Sequence, residues 1–465
     1  MTQLEASGTS AKGVKRPGGA LSAEERAARG RAARKVATRG SHAAWGPAPE
    51  RPDPVSLLES RAATRHPDLI AIRHSRMAAS PFAFYRGSAA LMAADLTGTP
   101  ESGITTQLCG DAHLSNFGVF GSPERTLLFD VNDFDETLPG PWEWDVKRLA
   151  ASFVVASRHA GFSPAVGREA VLAAVESYRS RMSEYADLRD LDVWYSRVTA
   201  DDVMTMLTTD RMRAQTKKGL AKARSRDSIR AFAKLTTTVD GRPRIIDDPP
   251  LLVRVELDLV RDVEGLFRRY RRTLQDDRRL LLERYQLIDL AHKVVGVGSV
   301  GTECFIALLT GRDDADPLFL QIKEAESSVL ERHLPNSRFS NHAQRVVAGQ
   351  RLMQAASDIF LGWIRADDGR DYYWRQLHDM KGSAVIEEME PSGFVIYGEV
   401  CGWALARAHA RSGDRLAIAA YLGSGDRFAR ALADFAEAYA DQNERDYQAM
   451  LDVIASGRIE ADSGA

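Results

Sequence analysis

The stretch "AHKVVGVGSVGTECFIALLTGRDDADPLFLQIKEA", residues 291–325, decides the fold. Apolar and β-branched residues fill three short runs, 293–297, 303–309 and 318–323, and predict three strands. The glycine-rich GVGSVG joins the first two, and the Asp and Gly of TGRDDADP make the second turn, so the runs form an antiparallel meander. Gly296, Gly298 and Gly301 also fit G-x-G-x-x-G, but a dinucleotide fold needs that pattern to open a helix. The following TECFIALL reads as a strand instead. A helix, NHAQRVVAGQRLMQAASDIFLGW, and one more aromatic strand, DYYWRQLHDM, complete this unit.

On both sides the chain turns helical. Upstream lie VKRLAASFVVASRHA, AVGREAVLAAVESYRSRMSEYADL and the charged LVRVELDLVRDVEGLFRRYRRTLQDDRRLLLERY; downstream lie FVIYGEVCGWALARAHARSGD and GDRFARALADFAEAYADQNERDYQAML. Arg and Glu at helical spacing read as solvated faces and carry no chemistry. The fold class is α+β: a strand-rich unit over 287–385 sits between helical parts at 51–286 and 386–465, with no internal repeat. Residues 1–50 are rich in Ala, Gly, Arg and Pro, with nine Lys or Arg against four Glu, which predicts a basic, disordered tail.

Composition narrows the function classes. The 465 residues fit two or three units of about 150 each, and 62 basic against 64 acidic residues leave a net charge of −2. Nothing global points to nucleic acid. No apolar run approaches the ~20 residues that span a bilayer, and no apolar segment follows the N-terminal basic residues, so a cytoplasmic protein without a membrane partner is expected. Cys109, Cys304 and Cys401 stand far apart, outside any zinc spacing, and are expected to be reduced thiols.

The candidate chemistry lies upstream, in QLCGDAHLSNFGVF (107–120) and LLFDVNDFDET (127–137). Asp111 precedes Asn116 by five positions, and Asp130, Asp133 and Asp135 follow the next apolar run. Taken singly, each could be a turn or cap residue. Together with a glycine turn and Lys323 at the end of a third strand, they match what phosphoryl transfer requires: a group that orients the attacking hydroxyl, oxygen ligands for magnesium, and a cation on the phosphates.

In that combination the chain resembles the protein-kinase-like small-molecule phosphotransferases, including the aminoglycoside phosphotransferases. Their catalytic loop has Asp, four residues, then Asn, and their later motif is Asp-Phe, as in Asp133 and Phe134. The resemblance implies ATP under Gly296, Gly298 and Gly301, Lys323 on its phosphates, and Mg²⁺ held by Asn116 and Asp133. Asp111 would be the catalytic residue facing an acceptor hydroxyl. Asp145 in WEWDVKRLA stands where those enzymes carry a further Asp near a helix start. The glycine turn follows the catalytic loop here, so the implied architecture is a protein-kinase-like two-lobe fold with an apparent circular permutation, physically tolerable because domain termini lie at the surface. In this arrangement YGEVCGWALARAHA would pack back beside Asp111. Cys109 replaces the usual His, and the helix after Lys323 offers Gln344, Gln350 and Gln354 where a Glu is usual, with Glu326 and Glu331 earlier.

The motifs SPFAFYRGSAALMAADL, LCGDAHLSNFG, NDFDETLPGPWEWDVKRLAAS, KVVGVGSVGT, IKEA and RQLHDMKGS are similar to those of a bacterial family known as domain of unknown function 2252 (DUF2252), over about residues 55–455. That resemblance supplies no substrate. Two other readings stay open. One is a nucleotide-binding, pseudokinase-like module that regulates a partner; the other is a two-metal phosphoesterase using Asp111, His113, Asn116 and Asp133. Arg86 in FYRG is either a further phosphate or carboxylate binder or the partner of a structural carboxylate. Small metabolites, antibiotics, lipids and protein hydroxyls are all open as acceptors, and no motif speaks to the oligomeric state.

Overall fold

Short apolar runs punctuated by Gly and Pro form four strands in quick succession: β1 (Thr105–Leu108), β2 (Phe117–Gly121), β3 (Leu127–Val131) and β4 (Leu138–Pro141). The computed structural model describes residues 21–62, 65, 67–255, 262–294, 301–377 and 379–461. β1 pairs with β4 and β2 with β3, both antiparallel. Leu108 stands opposite Leu138, and Phe117 opposite Val131. Residues 109–116 and 132–137 therefore run side by side, closed at each end by a ladder.

The chain next forms a hairpin of β5 (Thr236–Val239) and β6 (Arg242–Ile245), followed by β7 (Leu252–Val255), β8 (Gln286–Lys293), β9 (Cys304–Thr310), β10 (Pro317–Ala325), β11 (Gly362–Arg365), β12 (Asp371–Gln376) and β13 (Gly382–Ser383). Six of these make one antiparallel sheet in the order β11-β12-β10-β9-β8-β7. The meander expected from 291–325 is present, but its first strand lies earlier than 293–297. A register shift between Leu287 and Asp289, and burial of Asp289 against the Ile245 N–H at 2.7 Å, break the apolar alternation that would have marked it. Within the expected long charged helix, Leu252–Val255 is an edge strand; the helices there are Val263–Arg271 and Asp276–Leu282. The strand-rich unit thus reaches back to about residue 236 rather than 287.

Alternation along β10 divides its side chains between two faces. Leu318, Leu320 and Ile322 join Phe267, Tyr270 and Trp374 in one core, where Trp374 stacks on Tyr270 at 4.4 Å. Gln321 and Lys323 point the other way, towards the 132–137 loop. β13 pairs with β2 and ties the chain leaving the large sheet to the helical part.

The helix Trp142–His159 is buried along nearly its whole length, with Trp142 stacked on Tyr178 at 5.7 Å. It packs against Pro164–Asp187 and Arg427–Ala455, and Pro391–Ser412 lies along Pro164–Asp187. The tail expected to be disordered requires correction over residues 21–50. Ser22 and Glu25 form a capping box that starts the helix Ala23–Ala33. A Cβ on Gly30 would sit 2.0 Å from the Ala417 carbonyl oxygen, so this helix touches Arg415–Leu422 backbone to backbone. Arg34 and Arg39 donate to the carbonyls of Tyr421 and Leu422 at 2.8 and 2.7 Å, satisfying the end of that helix. The small residues that suggested disorder are what permits the close approach. No helix among the described residues is long and apolar enough to cross a membrane.

Candidate functional site

The two bracketed loops bring the upstream residues together. Asp111 and Asn116 lie on 109–116, Asp133 and Asp135 on 132–137. The loops also touch directly: Gly110 has φ +86°, and a Cβ there would fall 2.2 Å from the Glu136 carbonyl oxygen, so only glycine fits. Asn116 donates its amide to the Asp111 carbonyl at 2.8 Å, and its own carbonyl accepts the Asn132 N–H at 2.8 Å.

Two residues one turn apart on Trp142–His159 hold the first loop. The Asp145 carboxylate, buried, accepts the backbone N–H groups of Cys109 (2.7 Å) and Gly110 (3.0 Å). Arg148 donates Nε to Asp111 Oδ1 at 2.8 Å and another nitrogen to the Tyr85 carbonyl at 2.7 Å, with its guanidinium 3.9 Å from the Tyr85 ring centroid. Burial pushes the Asp111 carboxyl up from its ordinary range, against the opposing pull of Arg148 and Arg86. His113, 3.6 Å from Asp111, is held neutral by burial and by the same arginines. The helix Pro391–Ser412 lies on this loop. Its Tyr397 hydroxyl donates to the Leu114 carbonyl at 2.8 Å, and His409 Nε2 meets Asp145 at 3.2 Å.

Lys323 comes to the second loop from the interior of the large sheet, between β9 and β12, and is 3% exposed. It is not an edge-strand surface lysine. Its Nζ lies 2.5 Å from Asp135 Oδ2 and 4.0 Å from Asp133 Oδ2. The Tyr373 hydroxyl, opposite on β12, donates to Asp135 Oδ1 at 2.6 Å. Burial opposes the Lys323 charge, but the fields of Asp133 and Asp135 outweigh it and raise its proton affinity well above the ordinary lysine value. Asp135 is lowered in turn: burial opposes its charge, and Lys323 and Tyr373 prevail.

The helix His342–Met353 carries no Glu to Lys323. Its Arg345 donates to the carbonyls of Thr137 (2.7 Å) and Asp135 (2.8 Å), fixing the loop, and comes within 3.8 Å of Glu331. Gln354, just past the helix, donates to the Val131 carbonyl and accepts from Gln350, while Gln344 receives the Asn341 cap on its N–H. Asp135, two residues beyond Asp133, was not assigned a role from sequence. The only signal available was the alternation of carboxylates in NDFDE. Asp130 is structural: it is fully buried and takes Arg407 at 2.7 Å. Gly296 and Gly298 lie outside the described residues. Gly301 has φ +94° and packs against the Arg65 side chain.

As a cation site the loops offer few donors. With its amide nitrogen on Asp111, Asn116 leaves Oδ1 free, and the Asp133 carboxylate is 34% exposed. Among the described residues no group of three or more His, Cys, Asp or Glu could hold a metal unaided. An oxygen pair of this kind fits Mg²⁺ that takes its remaining ligands from phosphates and water. It is a poor match to two cations held by protein alone, since Asp111 is already engaged by Arg148.

Fold and site define a class: an α+β protein in which two facing carboxylate loops of the helical part meet a buried lysine from an interior strand. The chain belongs to the DUF2252 family, described as an uncharacterized protein conserved in bacteria, which matches residues 65–452. No curated protein and no solved structure matches it.

Proposed function

We propose that the chain is a phosphotransferase of the protein-kinase-like kind, with its lobes circularly permuted, that moves the γ-phosphoryl group of ATP to an acceptor hydroxyl. This reading rests on one observation: Lys323, far downstream in sequence, stands 4.0 Å from Asp133 while Asp111 and Asn116 occupy the loop alongside. A cation, an oxygen pair for magnesium and a carboxylate are the parts that phosphoryl transfer needs near one point. In this reading Lys323 would neutralise the phosphates, and Asn116 and Asp133 would hold Mg²⁺, which would supply charge compensation for the transferring group. That Gly296, Gly298 and Gly301 would cover the phosphates is an expectation from the sequence alone. The acceptor oxygen bonds to the γ-phosphorus as the bond to the β–γ bridging oxygen breaks; ADP leaves, and the hydroxyl proton passes to Asp111. Asp145, bonded to two backbone N–H groups of the Asp111 loop, supports the same reading as a positioning residue.

A second reading, nucleotide binding without transfer, is favoured by the Arg148 contact, which occupies Asp111 Oδ1 and opposes the rise in proton affinity that burial gives the carboxyl. The test is calorimetry of ATP·Mg²⁺ on wild type, Lys323→Ala and Asp133→Ala. Binding by the wild type that falls at least about tenfold in each variant supports the site. Undiminished binding in both variants sinks it.

A further inference from the structure

A cavity of about 390 Å³ opens beside Asn132, between β2, β10, β12 and the residues Leu377, Asp379, Lys381 and Ser383. Its walls carry four cations: Arg226, Lys293, Arg375 and Lys381. Asp358 and Asp379 line it too, but both are engaged. Asp358 accepts the Phe360 N–H on one oxygen (2.7 Å) and the Gln376 N–H on the other (2.6 Å), while Asp379 holds Arg125 at 2.7 Å. The hydrogen bonds of Arg375 go to neutral acceptors, Gln321 Oε1 at 3.0 Å and the Asn132 carbonyl at 3.4 Å. The Lys381 carbonyl accepts from Arg226 at 2.6 Å, while its half-buried ammonium makes no hydrogen bond or ion pair with any described residue. Burial and the nearby Arg375 push its ammonium down to about 7.

A pocket built for an uncharged aromatic ring is mostly apolar; here Phe120 and Leu377 are the large apolar walls, and amides and cations supply most of the rest. The fields of Asp133 and Asp135 reach both Arg375 and Lys381, but among the described residues no carboxylate is bonded to either side chain, and an anion in the recess supplies that partner. We propose that this cavity is an anion subsite that receives the phosphate chain of a phosphorylated ligand. The subsite stands whether or not Asp111 catalyses transfer. The chain could belong to a nucleotide or to a phosphorylated second ligand, and both present the same chemistry to Arg375 and Lys381.

The test titrates the full chain with inorganic tripolyphosphate, which has neither base nor sugar. Wild type binds; Lys381→Gln weakens binding about tenfold, and Lys381→Arg, which keeps the charge, restores most of it. Lys293→Gln reads the rim independently and weakens binding by about threefold. ATP that displaces tripolyphosphate assigns the subsite to a nucleotide; ATP that binds beside it assigns it to a second phosphorylated ligand, and either supports the subsite. No binding by the wild type at millimolar tripolyphosphate overturns it. So does Lys381→Gln binding like wild type while Lys323→Gln does not, because the phosphates then sit on Lys323 alone.

Discussion

Asp145 and Arg148, one turn apart on the same helix, hold the Asp111 loop in complementary ways: the carboxylate takes its backbone, the guanidinium its reactive side chain. Asp145→Ala removes the acceptor from two buried N–H groups and should lower stability by about 2–4 kcal/mol, read by urea denaturation. A loss under about 0.5 kcal/mol would show that the loop does not depend on this anchor.

Asp111→Asn removes the proton acceptor but keeps the shape of the side chain. Nucleotide affinity should stay within about threefold of wild type while turnover falls by about 10²–10⁴, measured in parallel by calorimetry and by ADP release. Turnover that survives the substitution removes Asp111 from its assigned role.

Asp135 tests the partner that spacing did not reveal. Asp135→Asn leaves Lys323 buried with its remaining carboxylate, Asp133, at 4.0 Å, and should cost about 3 kcal/mol. The same substitution in a Lys323→Met background should cost much less, because the unpaired charge is gone. Equal costs in the two backgrounds would mean that the contact contributes nothing.

Glu143 gives the fold a pH dependence. It is fully buried, with one oxygen on the Ser102 N–H at 2.8 Å and the other unpaired; burial raises it to about 7 despite Lys147 beside it. A carboxyl raised in the folded state contributes stability that is present below its unfolded value, near 4.5, and is lost as pH climbs through about 7. The melting temperature of wild type relative to Glu143→Gln should therefore fall across that window. A difference that stays flat or rises would contradict it.

Much of this was readable in advance, for definable reasons. β9, β10 and β12 announce themselves because both their faces are largely buried and apolar residues fill them; Lys323 stood out against that background. Asp111, Asn116 and Asp133 were legible through spacing within short loops. The partners were not. Arg148 is one arginine among many on helices, and nothing local distinguishes it from those in solvated ion pairs. Asp135 meets Lys323 only through the pairing of two ladders and a sheet, which no window of sequence contains. Residues 21–50 were misread because Ala and Gly lower hydrophobicity in the same way whether they are solvated or pressed against another helix.

The bracketing of the two loops gives their lengths a meaning. Leu108 opposite Leu138 and Phe117 opposite Val131 act as fixed abutments, and residues 109–116 are the span between them. A residue inserted there has no slack to enter: it must buckle the span or slip a strand by one, which would turn every side chain of that strand to the opposite face. The five-position step from Asp111 to Asn116 is thus a measured gauge as well as a motif.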